Sequence, residues 1–267
     1  MLHKVSHKWR SQGSLLGPIL FAIVINDFEP LSDRSKFVAY ADDLTIIHHV
    51  PPLEDNLIQK ELEQIESWSR GIGLSLNKTK TKLLTISRST IDSLPVISLN
   101  GSRIERVHKL KILGIFFDSN LKWGNQLDHV TKKCATAMAM IRKANRMGCS
   151  KEASRRIYMA YCFSQIAYAW PVYMDLSQVF FKRLLKFETY MKNICDVSLA
   201  PLHIRLEHIV YRLAEKIINC FDEHPLNTFF TKRNDTNYNI RRRHILEPIT
   251  FKTNLSINSF FRIFKYS

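Results

Sequence analysis

Residues 37–47 read FVAYADDLTII, from Phe37 to Ile47. Two runs of β-branched and aromatic residues flank Ala41, Asp42 and Asp43, so the stretch predicts two strands joined by a tight turn. The turn holds two adjacent carboxylates on a short, stiff support. Carboxylates set side by side repel unless a cation shares them, and hard oxygen donors select Mg2+ or Mn2+. Asp is also a common turn residue because it bonds locally to the backbone. The residues alone leave a metal platform and an ordinary turn both open.

Upstream, Gln12–Asp27 read QGSLLGPILFAIVIND. Gly13 and Gly17 permit close backbone approach, and Pro18 suits the first turn of a helix. Leu20, Ile23, Val24 and Asp27-Phe28 continue at helical spacing, which predicts a buried amphipathic helix. Taken together, the two stretches resemble the reverse transcriptases of non-LTR (LINE-like) retrotransposons. Those enzymes carry a QGS-x-LGP-x-LF-x-x-x-IND segment followed by F-x-x-YADD-x. Other polymerases with an x-x-DD hairpin differ, with Ser-Pro for Gly17-Pro18 or Gly for Ala41.

The resemblance implies an α+β fold: a partial polymerase palm of antiparallel β hairpins with helices, then an all-α thumb bundle and a basic tail. The expected divisions are residues 1–118, 119–200 and 201–267. It implies an RNA-directed DNA polymerase domain that uses Mg2+ or Mn2+, with an RNA template, a DNA primer and dNTPs as partners. Asp42 and Asp43 would be the metal ligands and catalytic carboxylates, Asp42 the more direct, with Tyr40 against the primer terminus. Gln12, Gly13 and Ser14 would contact substrate.

Three further segments extend the resemblance. Residues 73–87, GLSLNKTKTKLLTIS, predict a strand, a polar turn and a strand, and resemble the family's L-N-x-x-K-T segment. By that resemblance Lys80 lies near the triphosphate and could protonate the leaving pyrophosphate, although a solvated lysine on an exposed hairpin fits as well. Val96–Leu99, Asn100-Gly101 and Ser102–Val107 predict a hairpin, because Asn-Gly favours a type I′ turn. Lys109–Asp118, KLKILGIFFD, predict a buried strand broken by Gly114 and resemble the family's primer-holding x-Y-L-G-x-x-x-D segment, with Ile112 for Tyr. Gly114 would admit the primer backbone or simply pack closely.

Between these, Leu57, Ile58, Leu62, Ile65 and Trp68 form a helical stripe from about Glu54 to Arg70, with Gly71 as the cap. From Trp123 the period stays helical. Helices are expected over Leu127–Ala144, from a Ser150 cap to Pro171, over Leu176–Cys195, and from Pro201 to Asn219. Lys132, Lys133, Arg142, Lys143, Arg146, Arg155 and Arg156 lie on polar faces that suit a duplex backbone, although a solvated helix face carries such charges as well. The formal net charge of +15 favours a polyanionic partner. Arg241-Arg242-Arg243-His244 sits in a weakly periodic basic tail.

Five cysteines without CxxC spacing argue against a disulfide framework or a zinc site. Lys4, Lys8 and Arg10 before Leu15–Ile25 mimic a signal peptide, but the run ends in Asn26-Asp27-Phe28 and is too short to span a bilayer. An intracellular chain of cytoplasm and nucleus, neither secreted nor membrane-spanning, is expected. The family places a second Asp-bearing palm strand and the fingers before the Gln-Gly segment. Nothing upstream of Gln12 supplies them, so the chain reads as truncated. Asp27 belongs to the IND pattern and does not substitute. The competing readings are a catalytically inactive nucleic-acid-binding relic and, more remotely, a helical scaffold with an accidental Asp-Asp turn.

Overall fold

The computed structural model describes residues 16–50, 57–87, 96–174, 178–195, 199–220 and 222–227. The chain is α+β and divides into two compact units. One is built from residues up to Leu110 with 118–120, the other from 111–117 and from Leu121 onward.

In the first unit, α1 spans Gly17–Asn26, with Pro18 in its first turn where the missing N–H costs nothing. Phe21, Val24, Ile25 and Phe28 face inward, while Leu16, Ile19, Leu20 and Ile23 are exposed. The expected buried stripe through Leu20 and Ile23 is therefore wrong. The helix is apolar all round, so periodicity could not choose which side packs.

β1 (Ser35–Tyr40) and β2 (Asp43–His48) pair antiparallel, with Tyr40 opposite Asp43 and Ser35 opposite His48. α2 (Ile58–Gly71) buries Leu62 and Ile65 as expected. Gly71 ends the helix from within; Gly73, at φ +73°, takes the left-handed position beyond it. Phe28, Phe37 and Trp68 meet with ring centroids 4.5, 5.2 and 6.4 Å apart, joining α1, β1 and α2. On the other side of α2, Leu62 packs with Ile97, Leu99 and Ile104, and Ile46 of β2 packs against that group.

The Lys-rich segment departs from expectation. It forms no hairpin; β3 (Lys82–Leu84) instead pairs parallel with β6 (Glu105–Val107). The Asn-Gly hairpin does form, as β4 (Ser98–Leu99) and β5 (Ser102–Arg103). Asn100 and Gly101 both have positive φ, as a type I′ turn requires. The predicted buried strand over 109–118 is a second tight hairpin, β7 (Lys109–Ile112) and β8 (Ile115–Asp118), in which Ile115 is the buried residue. Leu113 and Gly114 at its tip have φ +47° and +88°.

The second unit is helical. It comprises α3 (Gly124–Arg146), α4 (Lys151–Tyr158), a π-helical turn over Met159–Phe163, α5 (Ser164–Ala167), α6 (Trp170–Tyr173), α7 (Gln178–Cys195) and α8 (Leu202–Asn219). The Ser150 hydroxyl accepts from the Ala153 N–H, the cap read from the sequence. Pro171 does not halt a helix but sits in the first turn of α6. Leu127, Cys134, Ile141, Tyr158, Cys162, Leu184, Met191, Leu206 and Ile217 belong to one core that all the long helices share. Within it Glu188 is buried, accepting from the Leu202 N–H at 3.0 Å and from Arg205 at 3.1 Å. The Arg205 guanidinium lies 4.3 Å from the Phe163 ring centre.

Cys134 and Cys162 pack in this core and Cys149 and Cys220 are exposed, all four as free thiols. A side-chain hydrogen bond with Cys134 and burial push the Cys162 thiol far above its ordinary pKa. No described helix is long and apolar enough to cross a membrane. The basic tail, including Arg241–His244, lies outside the described residues.

Candidate active site and nucleic-acid interface

Alternation along β1 and β2 sorts the hairpin into two faces. Phe37 and Ile46 turn toward α1 and α2. Lys36, Val38 and Tyr40 on one strand and Asp43, Thr45 and Ile47 on the other share the open face, since directly opposed residues point the same way. That face is unusual for one exposed to water: Tyr40 is 64% exposed and Ile47 57%. It carries apolar surface flanking one carboxylate, and Tyr40 stands directly across from Asp43.

The tip is a two-residue turn, Ala41-Asp42, in which Ala41 has φ +50°. A side chain in the left-handed region costs roughly 1 kcal/mol, so the backbone is held there by the ladder on both sides. Asp42 is exposed at the tip and Asp43 is half-buried at the first ladder position. Among the described residues, neither carboxylate accepts a hydrogen bond or pairs with a cation, and no group of three or more His, Cys, Asp or Glu gathers around them. Two free, hard oxygen donors on adjacent residues fit one side of a divalent-cation site. The third donor of a closed site is not among the described residues.

What fixes the hairpin was not foreseen from the sequence. Glu61 of α2 is only 1% exposed. Its Oε1 accepts from the Ser35 hydroxyl at 2.6 Å and its Oε2 from the Leu31 N–H at 3.1 Å. The same hydroxyl lies 2.8 Å from His48 Nδ1. Ser35 and His48 are the pair that closes the base of the hairpin, so one carboxylate ties both strands to α2. The available signal was an acid three residues after Ile58 and four before Ile65, inside an apolar stripe.

Lys80 lies on a tight turn. The Asn77 side chain accepts from the Thr79 N–H, the Thr79 hydroxyl and the Lys80 N–H, and the Thr81 hydroxyl donates to the Asn77 carbonyl. Asn77 and Thr81 are thus turn-forming residues here, and Lys80 projects from an exposed loop with no ion pair to Asp42 or Asp43 among the described residues. Gln12, Gly13 and Ser14 lie outside the described residues.

In the second unit, Gly114 has a reason independent of any ligand. Its φ of +88° suits glycine, and a Cβ there would meet the Tyr168 ring at 3.4 Å. The Tyr168 hydroxyl donates to the Leu113 carbonyl at 2.7 Å and holds the turn. Lys132, Lys133, Arg142, Lys143 and Arg146 lie on the exposed or half-exposed faces of α3, and Arg142 approaches the Tyr190 ring at 5.8 Å. Arg155 and Arg156 share Glu152 at 3.3 and 3.4 Å, which offsets part of their charge. A cluster the sequence reading passed over joins β7, β8 and α3. The Phe116 and His129 rings are 5.2 Å apart, and Lys111 Nζ is 5.5 Å from the Phe116 ring centre. Burial, followed by Lys111, Lys133 and Lys132, lowers the His129 pKa below its ordinary 6.5.

Residues 3–117 match the family described as reverse transcriptase (RNA-dependent DNA polymerase). Among curated proteins, the RNA-directed DNA polymerase from mobile element jockey of Drosophila funebris is 24% identical over 240 residues. That match covers 80% of this chain and 26% of the relative. The Drosophila melanogaster protein of the same name is 24% identical over 78% of this chain and 24% of its own length. The probable RNA-directed DNA polymerase from transposon BS of Drosophila melanogaster is 25% identical over 58% of this chain and 18% of its own. The chain thus spans about a quarter of the jockey relatives' length. No solved structure matches.

Proposed function

We propose that this chain is a stretch of reverse transcriptase of the non-LTR retrotransposon class, and that it supplies the Asp42-Asp43 part of a site for RNA-templated DNA synthesis, together with a basic helical surface that grips the template–primer duplex. The observation that carries the reading is the open face of the hairpin. An unengaged acidic pair stands there beside exposed Tyr40, on strands anchored from below by a buried carboxylate. An accidental Asp turn needs neither the anchor nor the bare apolar face.

Asp42 and Asp43 would hold Mg2+ or Mn2+, which when bound stabilises charge developing on the transferring phosphoryl group. The chain's own residues do the positioning. Glu61, through Ser35 and His48, fixes the base of the hairpin and so the tip. Tyr40, across from Asp43, offers a flat apolar surface to the sugar or base of a primer terminus. Lys80, on the rigid Asn77 turn, would lie toward the triphosphate and could donate a proton to the departing pyrophosphate. Gln12, Gly13 and Ser14 would contact substrate. The helices from α3 onward would act as the thumb, with Lys132, Lys133, Arg142, Lys143, Arg146, Arg155 and Arg156 toward the phosphates.

The test is binding of a labelled RNA–DNA hybrid by the 267-residue chain across a salt series. Each neutralised phosphate of a B-form duplex steepens log K against log[salt] by ~0.9, and a hybrid engaged by several of these cations should show a slope of several units. A flat slope, or no binding at low salt, would refute the nucleic-acid reading. The inactive relic remains the second reading.

A further inference from the structure

We propose that Lys111, His129, Lys132 and Lys133 form one pH-dependent binding site for a backbone phosphate of nucleic acid, built against the Phe116 ring. The proposal rests on the duplex-binding reading above and gives it a location and a regulatory property.

Three elements contribute to the site, and the residues that build it, Lys111, Phe116, Gln126, His129, Lys132 and Lys133, all lie in the second unit. Lys111 is exposed on β7 and reaches over Phe116 at 5.5 Å. His129 lies on α3 with its ring 5.2 Å from the same Phe116 ring. Lys132 and Lys133 follow His129 at i+3 and i+4, so they share its face of the helix. The platform is stiff. The Phe116 N–H donates to the buried Gln126 side chain at 3.1 Å, which locks β8 to the first turn of α3.

The electrostatics of this cluster are one-sided. The charged groups that act on His129 are Lys111 from β7 and Lys132 and Lys133 from its own helix, and each disfavours the imidazolium. The nearby acid, Asp128, is paired with Arg183 at 3.1 Å. Among the described residues no carboxylate pairs with Lys111, His129, Lys132 or Lys133. Three lysines around His129, with no carboxylate pairing them among the described residues, leave a phosphate as the complement, because its charge offsets their mutual repulsion. Hydrogen bonding from a fork of flexible lysines suits a single phosphate oxygen set rather than a base edge.

Phosphate binding reverses the sign of the field at His129. In the free protein burial and then the neighbouring lysines disfavour the charged ring; beside a phosphate the imidazolium becomes the better partner and adds a charged donor. Binding therefore takes up a proton at neutral pH, and affinity rises as pH falls. The gain is up to about tenfold per pH unit over the range where only the bound ring is charged.

The experiment measures hybrid binding by the full 267-residue chain at fixed low salt, from pH ~7.5 down to ~5.5, for wild type and His129→Gln. Other histidines contribute equally to both proteins, so the difference between the two profiles reports His129. Wild type is expected to gain severalfold more affinity than His129→Gln toward acid pH. Lys111→Gln and Lys132→Gln, both at exposed positions, should each weaken binding at low salt, and the double variant should lower the salt slope by about the one phosphate contact that the site makes. Parallel pH profiles with binding otherwise intact overturn this site while leaving the duplex-binding reading in place. Loss of binding by wild type at low salt overturns both.

Discussion

Replacing Glu61 by Ala tests whether the buried carboxylate holds the Asp42-Asp43 hairpin. The substitution removes two accepted hydrogen bonds, from the Ser35 hydroxyl at 2.6 Å and from the Leu31 N–H at 3.1 Å. Ser35 can turn to His48, which stays within reach at 2.8 Å, so one donor is rescued. The Leu31 N–H sits on a residue that is itself 56% exposed and can turn to water, so its lost bond costs roughly 1 kcal/mol. The small cavity left by the side chain adds to this, for a total of about 2–4 kcal/mol. Glu61→Gln keeps an acceptor for Leu31 and offers Ser35 a donor, so its cost should stay below about 1.5 kcal/mol. The assay is amide hydrogen exchange along β1 and β2, which reads the first unit by itself. A loss of 2–4 kcal/mol corresponds to exchange faster by about thirtyfold to a thousandfold. Exchange in Glu61→Ala within a few-fold of wild type would refute the anchoring role.

Other outcomes follow from the same contacts. Ala41→Gly should stabilise the first unit by about 0.5–1 kcal/mol in urea unfolding, because glycine relieves the φ of +50° at the tip. Glu188→Ala should cost about 3–5 kcal/mol by leaving the largely buried Arg205 without its partner, and Glu188→Leu/Arg205→Met should cost less than that single change. Burial pushes the Tyr158 pKa up from 10 to about 12. The neutral phenol is favoured in the fold, so stability should fall as pH rises through the 10 to 12 window, and Tyr158→Phe should flatten that limb of a melting series. Primer extension on an RNA template with Mg2+ and then Mn2+ should give the 267-residue chain no product above an Asp42→Asn/Asp43→Asn blank. A closed two-metal site needs more carboxylates than the pair at the tip, residues 1–15 contain no acid, and each ~1.4 kcal/mol of lost transition-state stabilisation is tenfold in rate. Extension above the blank would show that the pair suffices.

How far the fold could be read from the chain depended on how local its causes were. The FVAYADDLTII hairpin, the Asn100-Gly101 turn and the Ser150 cap are set by neighbouring residues and were legible. α1 was legible as a helix but not in its orientation, because a helix apolar on every side gives period no purchase. The pairing of Lys82–Leu84 with Glu105–Val107 was missed because it is parallel and its partners lie on either side of the β4–β5 hairpin in sequence, which no local pattern encodes. Lys109–Asp118 was misread as one strand because the turn rests on Leu113, a residue rarely found at positive φ, held there by a bond from Tyr168. In the proposed site, Asp42, Asp43 and Tyr40 were visible as a motif. Glu61, His129 and Lys111 were not, since their roles come from tertiary partners drawn from different elements.

The most direct measurement is Mn2+-induced broadening of backbone amide resonances, compared between wild type and Asp42→Asn/Asp43→Asn. The expected result is selective broadening from Tyr40 through Thr45 in wild type and its loss in the double variant, with the melting temperature level or higher as carboxylate repulsion is relieved. The same broadening in both proteins, or none around the hairpin in wild type, would contradict the assignment of Asp42 and Asp43 as a metal-holding pair.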